Sequence, residues 1–229
     1  MRTPIVVTGA NRRGGLAICQ ALLTQGYEVV AVYRSQLGPL ADISNVQCFQ
    51  ADISIERDRL ALIDYLQSEF DALRGIVHNA SLWLEDSLEG LNRMLSVHVE
   101  APYHLNRALS AQLLACERAD IIHICDDTAS RGTCNHIAYA ASKAALANMT
   151  LSFAELYAPT VRVNSISPGL LKLKEDSDDA YRSKTLKKAA LPFEPGNVPL
   201  VEAVLYLLNA SYSTGTNLVI NGGRHVKRA

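Results

Sequence analysis

The sequence has 229 residues, of which 48% are hydrophobic and 20% charged, and its formal net charge is −1. This length predicts a single domain, residues 1–229, with a substantial core. The near-neutral charge argues against nucleic acid or an anionic membrane surface as a partner. No apolar run reaches transmembrane length, the first residues lack a signal-peptide layout, and five scattered cysteines without CxxC spacing indicate reduced thiols. We therefore expect a cytoplasmic protein without a membrane partner.

The first predicted unit is a strand, a glycine turn and a helix. The apolar run 4–7 leads into TGANRRGG, and apolar residues at helical spacing follow from Leu16. This order is typical of a dinucleotide-binding unit, in which small residues let the backbone approach a pyrophosphate at the start of a helix. The spacing differs from the plain GxGxxG because Gly9 and Gly15 are six apart and Arg13 stands between them. A strand–turn–helix connection that binds nothing is the alternative.

The second predicted strand, 28–33, ends in Arg34 and Ser35. The residue just past this strand selects the cofactor in dinucleotide folds, because an acid holds the ribose hydroxyls of NAD whereas an arginine accommodates the 2′-phosphate of NADP. Arg34 and Ser35, together with the nearby pair Arg12 and Arg13, therefore favour NADP. A solvated surface arginine is the alternative interpretation of Arg34.

The third strand, 46–49, is followed by Asp52 and Ile53. At this strand exit Asp52 is placed to accept a hydrogen bond from an adenine amino group. An equally good interpretation is that Asp52 is the N-cap of a helix that starts near Ile55.

The fourth strand, 73–78, ends in HNASLW, which contains the only tryptophan, Trp83. Ligands of open α/β sheets bind at the carboxyl ends of strands, so a flat ring could stack on this indole. The alternative is that Trp83 caps the core.

The remaining chain continues to alternate between helices and strands. The pattern predicts a long helix over 87–116, bent near Pro102, and a last helix over 198–209. The segment 172–188 between them is dense in charge, so it is either a solvated helix face or part of a mobile lid near 170–197. Further strands are predicted at 119–125, 160–166 and 217–220. This alternation predicts a doubly wound α/β fold with a parallel sheet.

Tyr139 and Lys143 lie four residues apart in a segment with helical pattern from His136, so they should share one helix face. An ammonium beside a phenol favours the phenolate and should lower the tyrosine pKa from about 10 toward neutrality. A phenol tuned in this way can exchange a proton with a bound ligand.

Four motifs occur in an order that resembles the short-chain dehydrogenase/reductase family from end to end: TGANRRGG, Asn79-Ala80, Tyr139-x-x-x-Lys143 and Pro168-Gly169. The resemblance implies a seven-stranded Rossmann sheet, a nicotinamide cofactor (here NADPH), Tyr139 as proton donor and Lys143 as the ribose-binding residue. It also implies a homotetramer. The cofactor-binding positions that it implies are Gly9, Asn11, Arg12, Arg13, Gly15, Tyr33, Arg34, Ser35, Asp52, Ile53, Asn79, Ala80, Ser81, Tyr139, Lys143, Pro168, Gly169 and Leu170.

Two departures from the common family pattern, and one aromatic residue, narrow the resemblance. Asp126 stands thirteen residues before Tyr139, where most members have a serine; Arg13 replaces a glycine; and Trp83 follows the Asn-Ala-Ser run by two residues. These features resemble the pteridine reductase branch. Within that branch the bacterial dihydromonapterin reductases are resembled by three further stretches: the His78-Asn79-Ala80-Ser81 strand exit, the Arg131-Gly132 loop with His136-Ile137-Ala138-Tyr139, and the Gly-Gly-Arg-His ending. This implies NADPH-dependent reduction of 7,8-dihydropterins, with dihydrofolate as a further candidate. The substrate-binding positions are then Arg13, Ser81, Trp83, Asp126, Tyr139, Leu171 and Arg228.

The chemistry of these residues fits a pterin. A serine hydroxyl suits a ketone oxygen, which only accepts hydrogen bonds, whereas a carboxylate at Asp126 can accept from pterin N–H groups or relay a proton through Tyr139. Tyr139, backed by Asp126 and Lys143, is the expected proton donor, and water is the alternative. The family often has an asparagine that extends the proton relay where this chain has His98, whose imidazole could replace it.

Three other functions remain as alternatives. A dehydrogenase of the same family could act on a ketone or a sugar alcohol. A non-catalytic NADP-binding sensor is disfavoured by the intact Tyr139 and Lys143. A metal site is disfavoured because no paired-ligand spacing repeats, although side chains that bind metals cluster in the sequence. Those side chains are His123, Cys125, Asp126, Cys134 and His136.

Overall fold

The computed structural model describes residues 2–227. In this part of the chain seven strands form one sheet in the order β3-β2-β1-β4-β5-β6-β7, and all neighbouring strands are parallel. The predicted doubly wound Rossmann fold is therefore confirmed. The strands are β1 Ile5–Thr8, β2 Val29–Tyr33, β3 Val46–Gln50, β4 Gly75–His78, β5 Ala119–Ile124, β6 Val161–Pro168 and β7 Asn217–Ile220.

Helices connect the strands and cover both faces of the sheet. A short 3₁₀ turn, Gly38–Asp42, lies between β2 and β3. The α-helices are α1 Arg13–Thr24, α2 Glu56–Glu69, α3 Leu88–Leu95, α4 Ala101–Ala108, α5 Ser110–Ala115, α6 Thr128–Arg131, α7 Ile137–Tyr157, α8 Asp179–Leu186 and α9 Val198–Asn209. None of the helices within residues 2–227 has the length and apolar character that crossing a bilayer requires.

The core forms two layers because the central strands are buried on both faces. Every residue of β1, β4, β5 and β6 is buried, as expected for Val- and Ile-rich strands of a parallel sheet. On one face α2, α4 and α7 contribute Leu66, Leu105 and Phe153, and on the other face α1 and α9 contribute Leu22 and Leu207. Each such side chain stabilises the fold by roughly 1.5–3 kcal/mol through burial.

The long helix predicted over 87–116 is interrupted. A π-helical turn, Ser96–Glu100, separates α3 from α4, and the helix breaks again at Leu109. In the π turn the Ala101 N–H bonds to the Ser96 carbonyl, five residues back, and Pro102 has no N–H with which to continue the α-helical pattern. The predicted bend near Pro102 is therefore present, but it begins before the proline.

The strand order places a crevice at the carboxyl edge of the sheet. The order in which strands are added to the sheet reverses between β1 and β4, whose carboxyl ends lie side by side. Asn79 joins the two exits, because its Nδ2 donates to the carbonyls of Thr8 (3.0 Å) and Gly9 (3.1 Å), and its backbone N–H donates to the Thr8 hydroxyl (3.1 Å). The predicted site residues that follow β1, β2 and β4 are thus held at one edge.

Candidate active site

A cleft of about 730 Å³ lies over the exits of β1, β2 and β4. It is lined by many of the residues predicted from the sequence: Gly9, Asn11, Arg12, Arg13, Gly15, Arg34, Ser35, Asp52, Ile53, Asn79, Ala80, Ser81 and Trp83. It is also lined by residues that the sequence analysis did not single out: Gly14, Val32, Gln36, Gly38, Pro39, Ala51, Leu82 and Val97. Of these, Gly14 was the easiest to find, because it belongs to the glycine turn itself.

In the glycine turn the backbone at Gly9 and Gly15 lies so close to neighbouring backbone that a side chain would not fit. A Cβ on Gly9 would lie 2.7 Å from Ala80 Cα, and one on Gly15 would lie 2.2 Å from the Gly9 carbonyl oxygen. The helix α1 that follows has no side-chain N-cap bond at Arg12. Its first N–H groups are therefore left for an anion at the positive end of the helix. These features, with three arginines along the cleft, fit a dinucleotide phosphate.

Arg13 adopts the left-handed backbone conformation, with φ = +47°. A non-glycine residue in this region costs roughly 1–2 kcal/mol. The position is therefore one that a glycine would occupy without strain, and the chain instead carries a guanidinium there.

Two of the lining side chains are already engaged with the protein. Asn11 Nδ2 donates to the Gln36 carbonyl (2.9 Å) and so holds the loop after β2. Asp52 Oδ1 accepts from the backbone N–H (3.0 Å) and hydroxyl (2.6 Å) of Ser54 in a local turn. Helix α2 begins later, with Ile55 as its N-cap and no side-chain cap bond. The alternative prediction that Asp52 is the N-cap of this helix is therefore wrong.

Asp126 and Tyr139 face each other. The Tyr139 hydroxyl donates to Asp126 Oδ2 at 3.2 Å. The other carboxylate oxygen accepts from the Thr128 N–H (2.8 Å) and hydroxyl (2.7 Å), which fixes the orientation of the carboxylate. Asp126 follows β5 and Tyr139 lies in the first turn of α7, so two neighbouring elements bring the pair together.

The expected effect of Lys143 on Tyr139 is wrong for this arrangement. Burial, followed by the charge of Asp126, raises the pKa of Tyr139 above its usual value. The Lys143 ammonium donates to the Ile124 carbonyl (2.8 Å) and lies 6.0 Å from the centre of the Tyr139 ring. The hydrogen bond found for this ammonium is therefore with the Ile124 carbonyl. Burial also lowers the pKa of Lys143 from its usual value.

His98 is committed to the interior. Its Nε2 accepts from the Leu82 N–H (3.1 Å) and lies 3.0 Å from Ser81 Oγ, which leaves the proton on Nδ1, 2.8 Å from Ser142 Oγ. Ser142 in turn donates to the Tyr139 carbonyl (2.8 Å). Burial, followed by the charge of Lys143, lowers the pKa of His98 to about 2. Both ring nitrogens are engaged, so the predicted relay through this imidazole has no free nitrogen to accept a water.

Trp83 stands at the rim of the cleft. It is 54% exposed, which excludes the alternative that it caps the core. Its ring packs edge-on against His136, with 4.9 Å between ring centroids. The opposite part of the indole is thus available to a ligand.

Asp127, next to Asp126, joins three strand exits. It is 4% exposed, its N–H donates to the Pro168 carbonyl (2.9 Å), and its carboxylate accepts from Asn221 Nδ2 (2.6 Å) and Arg131 Nε (2.6 Å). Arg224 lies 3.7 Å from the same carboxylate. The loop that carries Asp126 is therefore tied to the ends of β6 and β7.

Several predicted residues lie outside the cleft lining, among them Asp126, Tyr139 and Lys143. Tyr33 packs against the core at the end of β2, and Leu171 does the same after β6. Leu170 lines a second, smaller cavity of about 170 Å³ beneath the segment that follows α8. Pro168 and Gly169 contact the end of β7, since a Cβ on Gly169 would lie 2.9 Å from Asn221 Cα. Arg228 falls outside residues 2–227, so its contact stays a prediction.

His123 and Cys125, considered above as metal ligands, are buried. His123 Nδ1 pairs with the Thr150 hydroxyl (2.9 Å), and its Nε2 accepts from Asn106 Nδ2 (3.2 Å). Asn106 Oδ1 accepts from His78 Nε2 (2.8 Å), which completes a buried chain of neutral groups. Among residues 2–227 no three His, Cys, Asp or Glu side chains are grouped so as to hold a metal ion.

Comparisons with known proteins agree with this architecture. The profile of the short chain dehydrogenase family matches residues 3–181. The dihydromonapterin reductases of Klebsiella pneumoniae subsp. pneumoniae and Shigella boydii serotype 4 are 41% and 40% identical, and each alignment covers 98% of this chain and 97% of the relative. Among solved structures, FolM alternative dihydrofolate reductase 1 from Brucella suis, in complex with NADP, has a TM-score of 0.90 at 26% identity, covering 99% of this chain and 96% of that one. An apo SCOR enzyme from Clostridium thermocellum shares the fold. Its TM-score is 0.89 at 22% identity, and the match covers 100% of this chain and 95% of that one. The chain therefore belongs to the short-chain dehydrogenase/reductase family.

Proposed function

We propose that this protein is an NADPH-dependent reductase of 7,8-dihydropterins, with dihydromonapterin as the first candidate substrate and dihydrofolate as the second. The observation that carries the proposal is the hydrogen bond from Tyr139 to Asp126, a carboxylate at the position where the family commonly has a serine. The relatives at 40–41% identity named above, which are dihydromonapterin reductases, support the same conclusion.

The cofactor proposal rests on the cleft. The pyrophosphate would bind at the glycine turn and the start of α1, and Arg34, Ser35 and Arg12 would bind the 2′-phosphate. Lys143 would hold the ribose, since its ammonium has three N–H donors and the described residues take one of them, through Ile124. When bound, NADPH would supply the hydride that reduces C6 of the dihydropterin.

The pterin would lie at the open end of the cleft. Trp83 would stack on the ring, which is worth about 1 kcal/mol beyond burial. Arg13 would reach the pterin oxo group, Ser81 and Asp126 would bind the ring nitrogens and amino group, and Leu171 would contact the substituent. Arg228 would approach the site of a neighbouring subunit.

Tyr139 and Asp126 would deliver the proton to N5. The raised pKa keeps the phenol protonated at neutral pH, which is the state that a proton donor needs. Asp126 would orient the phenol hydrogen, and after that proton has moved to N5 the phenolate would be reprotonated from solvent. The segment 170–197 would act as a lid, since it follows the exit of β6 and its Arg182–Glu194 ion pair (3.5 Å) connects α8 with the chain that follows it.

A homotetramer in the cytoplasm is part of this proposal. Large apolar side chains on α4, α5 and α7 are exposed in the single chain, and burying them between subunits would remove them from water. These side chains are Tyr103, Leu114, Leu151 and Leu156. The five cysteines are all free thiols, as expected in a reducing compartment.

Steady-state kinetics with purified protein test the proposal. Dihydromonapterin, dihydrobiopterin and dihydrofolate are compared with simple ketones and sugar alcohols, each with NADPH and NADH. We expect oxidation of NADPH with dihydropterins and none with ketones. Turnover of ketones without turnover of dihydropterins would assign the protein to the ordinary dehydrogenases of the family, and ligand binding without any turnover would make it a sensor.

A further inference from the structure

The helix that carries Tyr139 and Lys143 is capped from a distance. At the start of α7 the N-cap residue, His136, makes no side-chain cap bond. Instead Asp86 accepts from the backbone N–H of Ile137 through Oδ2 and from that of Ala138 through Oδ1, both at 2.9 Å. These two bonds hold the pKa of Asp86 below its usual value, so the carboxylate is ionised at neutral pH. A carboxylate at this end of a helix also interacts favourably with the helix dipole.

Asp86 ends the short loop 81–86, which contains Trp83 and follows the exit of β4. Trp83 contacts the start of α7 through the edge-on packing of its ring against His136. With more than half of its surface exposed, the indole lacks the surrounding contacts that would hold it by packing alone. The bidentate bond from Asp86 is therefore a direct link between the Trp83 loop and the start of the helix, in addition to the bridge that His98 makes from Ser81 and Leu82 to Ser142.

The two groups joined by this link are those between which the substrate would lie. Tyr139 is in the first turn of α7, one residue past the second N–H that Asp86 binds. A local cap such as a serine at position 136 would satisfy the same N–H groups without touching the loop. Capping from 51 residues away instead fixes the loop relative to the helix.

We propose that Asp86 is a positioning residue that sets the distance between the Trp83 indole and the Tyr139 phenol, and so determines how well a flat bicyclic substrate fits. This inference deepens the proposed function and rests on it for the identity of the substrate. It does not require Asp86 to touch the substrate.

The test uses Asp86→Ala and Asp86→Asn, with Ser87→Ala as the matched control. Ser87 is the neighbouring residue, and its hydroxyl caps α3, not α7, by accepting from the Gly90 N–H (2.9 Å). Because Trp83 is the only tryptophan, its fluorescence reports the loop directly. For Asp86→Ala we expect red-shifted emission, stronger quenching by acrylamide, and a KM for dihydromonapterin raised about tenfold with kcat changed by less than about twofold. Asp86→Asn, which keeps one acceptor oxygen, should fall between Asp86→Ala and the unchanged protein.

The control separates positioning from stability. Ser87→Ala should lower the urea midpoint of unfolding as Asp86→Ala does, yet leave emission and KM unchanged. Equal changes of emission and KM in both variants, or unchanged emission and KM in Asp86→Ala, would overturn the proposal. Absence of dihydropterin turnover in the unchanged protein would reject the proposed function instead, and the emission and quenching of the variants would still decide whether Asp86 fixes the loop.

Discussion

The Tyr139 hydroxyl is hydrogen-bonded to Asp126 Oδ2, and burial together with that carboxylate raises the pKa of the phenol. A serine at position 126 would carry no charge and would leave the phenol easier to ionise. The exchange of an alcohol for an acid thus changes the proton chemistry of the tyrosine as well as the groups available to the substrate.

Replacing Asp126 should have two separable effects. Asp126→Ser removes a negative charge next to Tyr139, so the tyrosine pKa should fall and the alkaline limb of kcat/KM should move to lower pH. Turnover of dihydropterins should drop by a factor of about 100 or more, as for loss of a group that assists proton transfer. A pH–rate profile measures both effects. Full activity with an unshifted alkaline limb would contradict the assigned role.

Arg13 permits a paired test of strain and function. Arg13→Gly and Arg13→Ala both remove the guanidinium, so both should raise KM for NADPH and for the pterin alike. Only glycine accepts φ = +47° freely, so the glycine variant should be more stable than the alanine variant by about 1 kcal/mol. Urea unfolding measures the difference. Equal stabilities would show that the backbone relaxes in the alanine variant.

Arg34 should decide the choice of cofactor. Arg34→Ala is expected to raise KM for NADPH by a factor of about 10 to 100, the equivalent of one charge-assisted hydrogen bond, because the 2′-phosphate loses its partner. KM for NADH, which lacks that phosphate, should change little. Arg57→Ala is a suitable control, since Arg57 is an exposed arginine paired with Asp58 on α2, outside the cleft lining.

The buried histidines should make stability depend on pH. Burial lowers the pKa of His78 to about 4, that of His98 to about 2 and that of His123 well below its usual value. The unfolded chain, with values near 6.5, therefore takes up protons first as the pH falls. Stability should be full above about pH 6.5 and should decrease below it, with His78 alone contributing about 2 kcal/mol by pH 5.

Urea unfolding at pH 7.5 and pH 5 checks this prediction. His78→Gln removes one of the titrating groups, so the loss of stability between the two values should shrink by about the contribution of His78. Leu60→Gln, which replaces an exposed side chain without a titrating group on α2, should keep the full dependence. If the unchanged protein and both variants lost the same amount of stability between pH 7.5 and pH 5, the assignment of this pH dependence to His78 would be wrong.

The parts of the fold that the sequence predicts are those with strong local patterns. The buried strands appear as continuous apolar runs, and α9 has the predicted bounds 198–209 because its apolar spacing is regular. The prediction of one continuous helix over 87–116 was wrong, because a π turn such as Ser96–Glu100 has no distinct sequence pattern. Motifs also predicted many of the residues that line the cleft, from Gly9 to Trp83.

Residues that act through long-range contacts were missed. Asp86 and Asp127 look like ordinary surface acids in the sequence, and their partners lie 51 and 94 residues away. The hydrogen-bond partner of the Lys143 ammonium was missed for the same reason. That partner is the carbonyl of Ile124, which belongs to the neighbouring strand β5. Motif spacing predicts which side chains gather at an edge of the sheet, but not which acceptor each of them selects.

The contacts of Asp127 should be sensitive to truncation of its side chain. Asp127→Ala would leave the Asn221 amide and two guanidinium groups without their shared acceptor, at a cost of about 2–3 kcal/mol in unfolding free energy. Asp127→Asn keeps the shape and one acceptor, so it should cost less. Both are measured by urea unfolding. Equal costs would assign the effect to charge alone.

The contacts that Asp127 makes with residues at the ends of β6 and β7 also affect when this part of the fold can form during synthesis of the chain. A nascent chain that has emerged through α7 already contains Asp126, Tyr139 and Lys143, but Asn221 is still to be synthesised. Until the last strand joins the sheet, the carboxylate of Asp127 keeps Arg131 as a partner and lacks the amide. The loop that carries Asp126 therefore gains its full set of contacts only after β7 has joined the sheet.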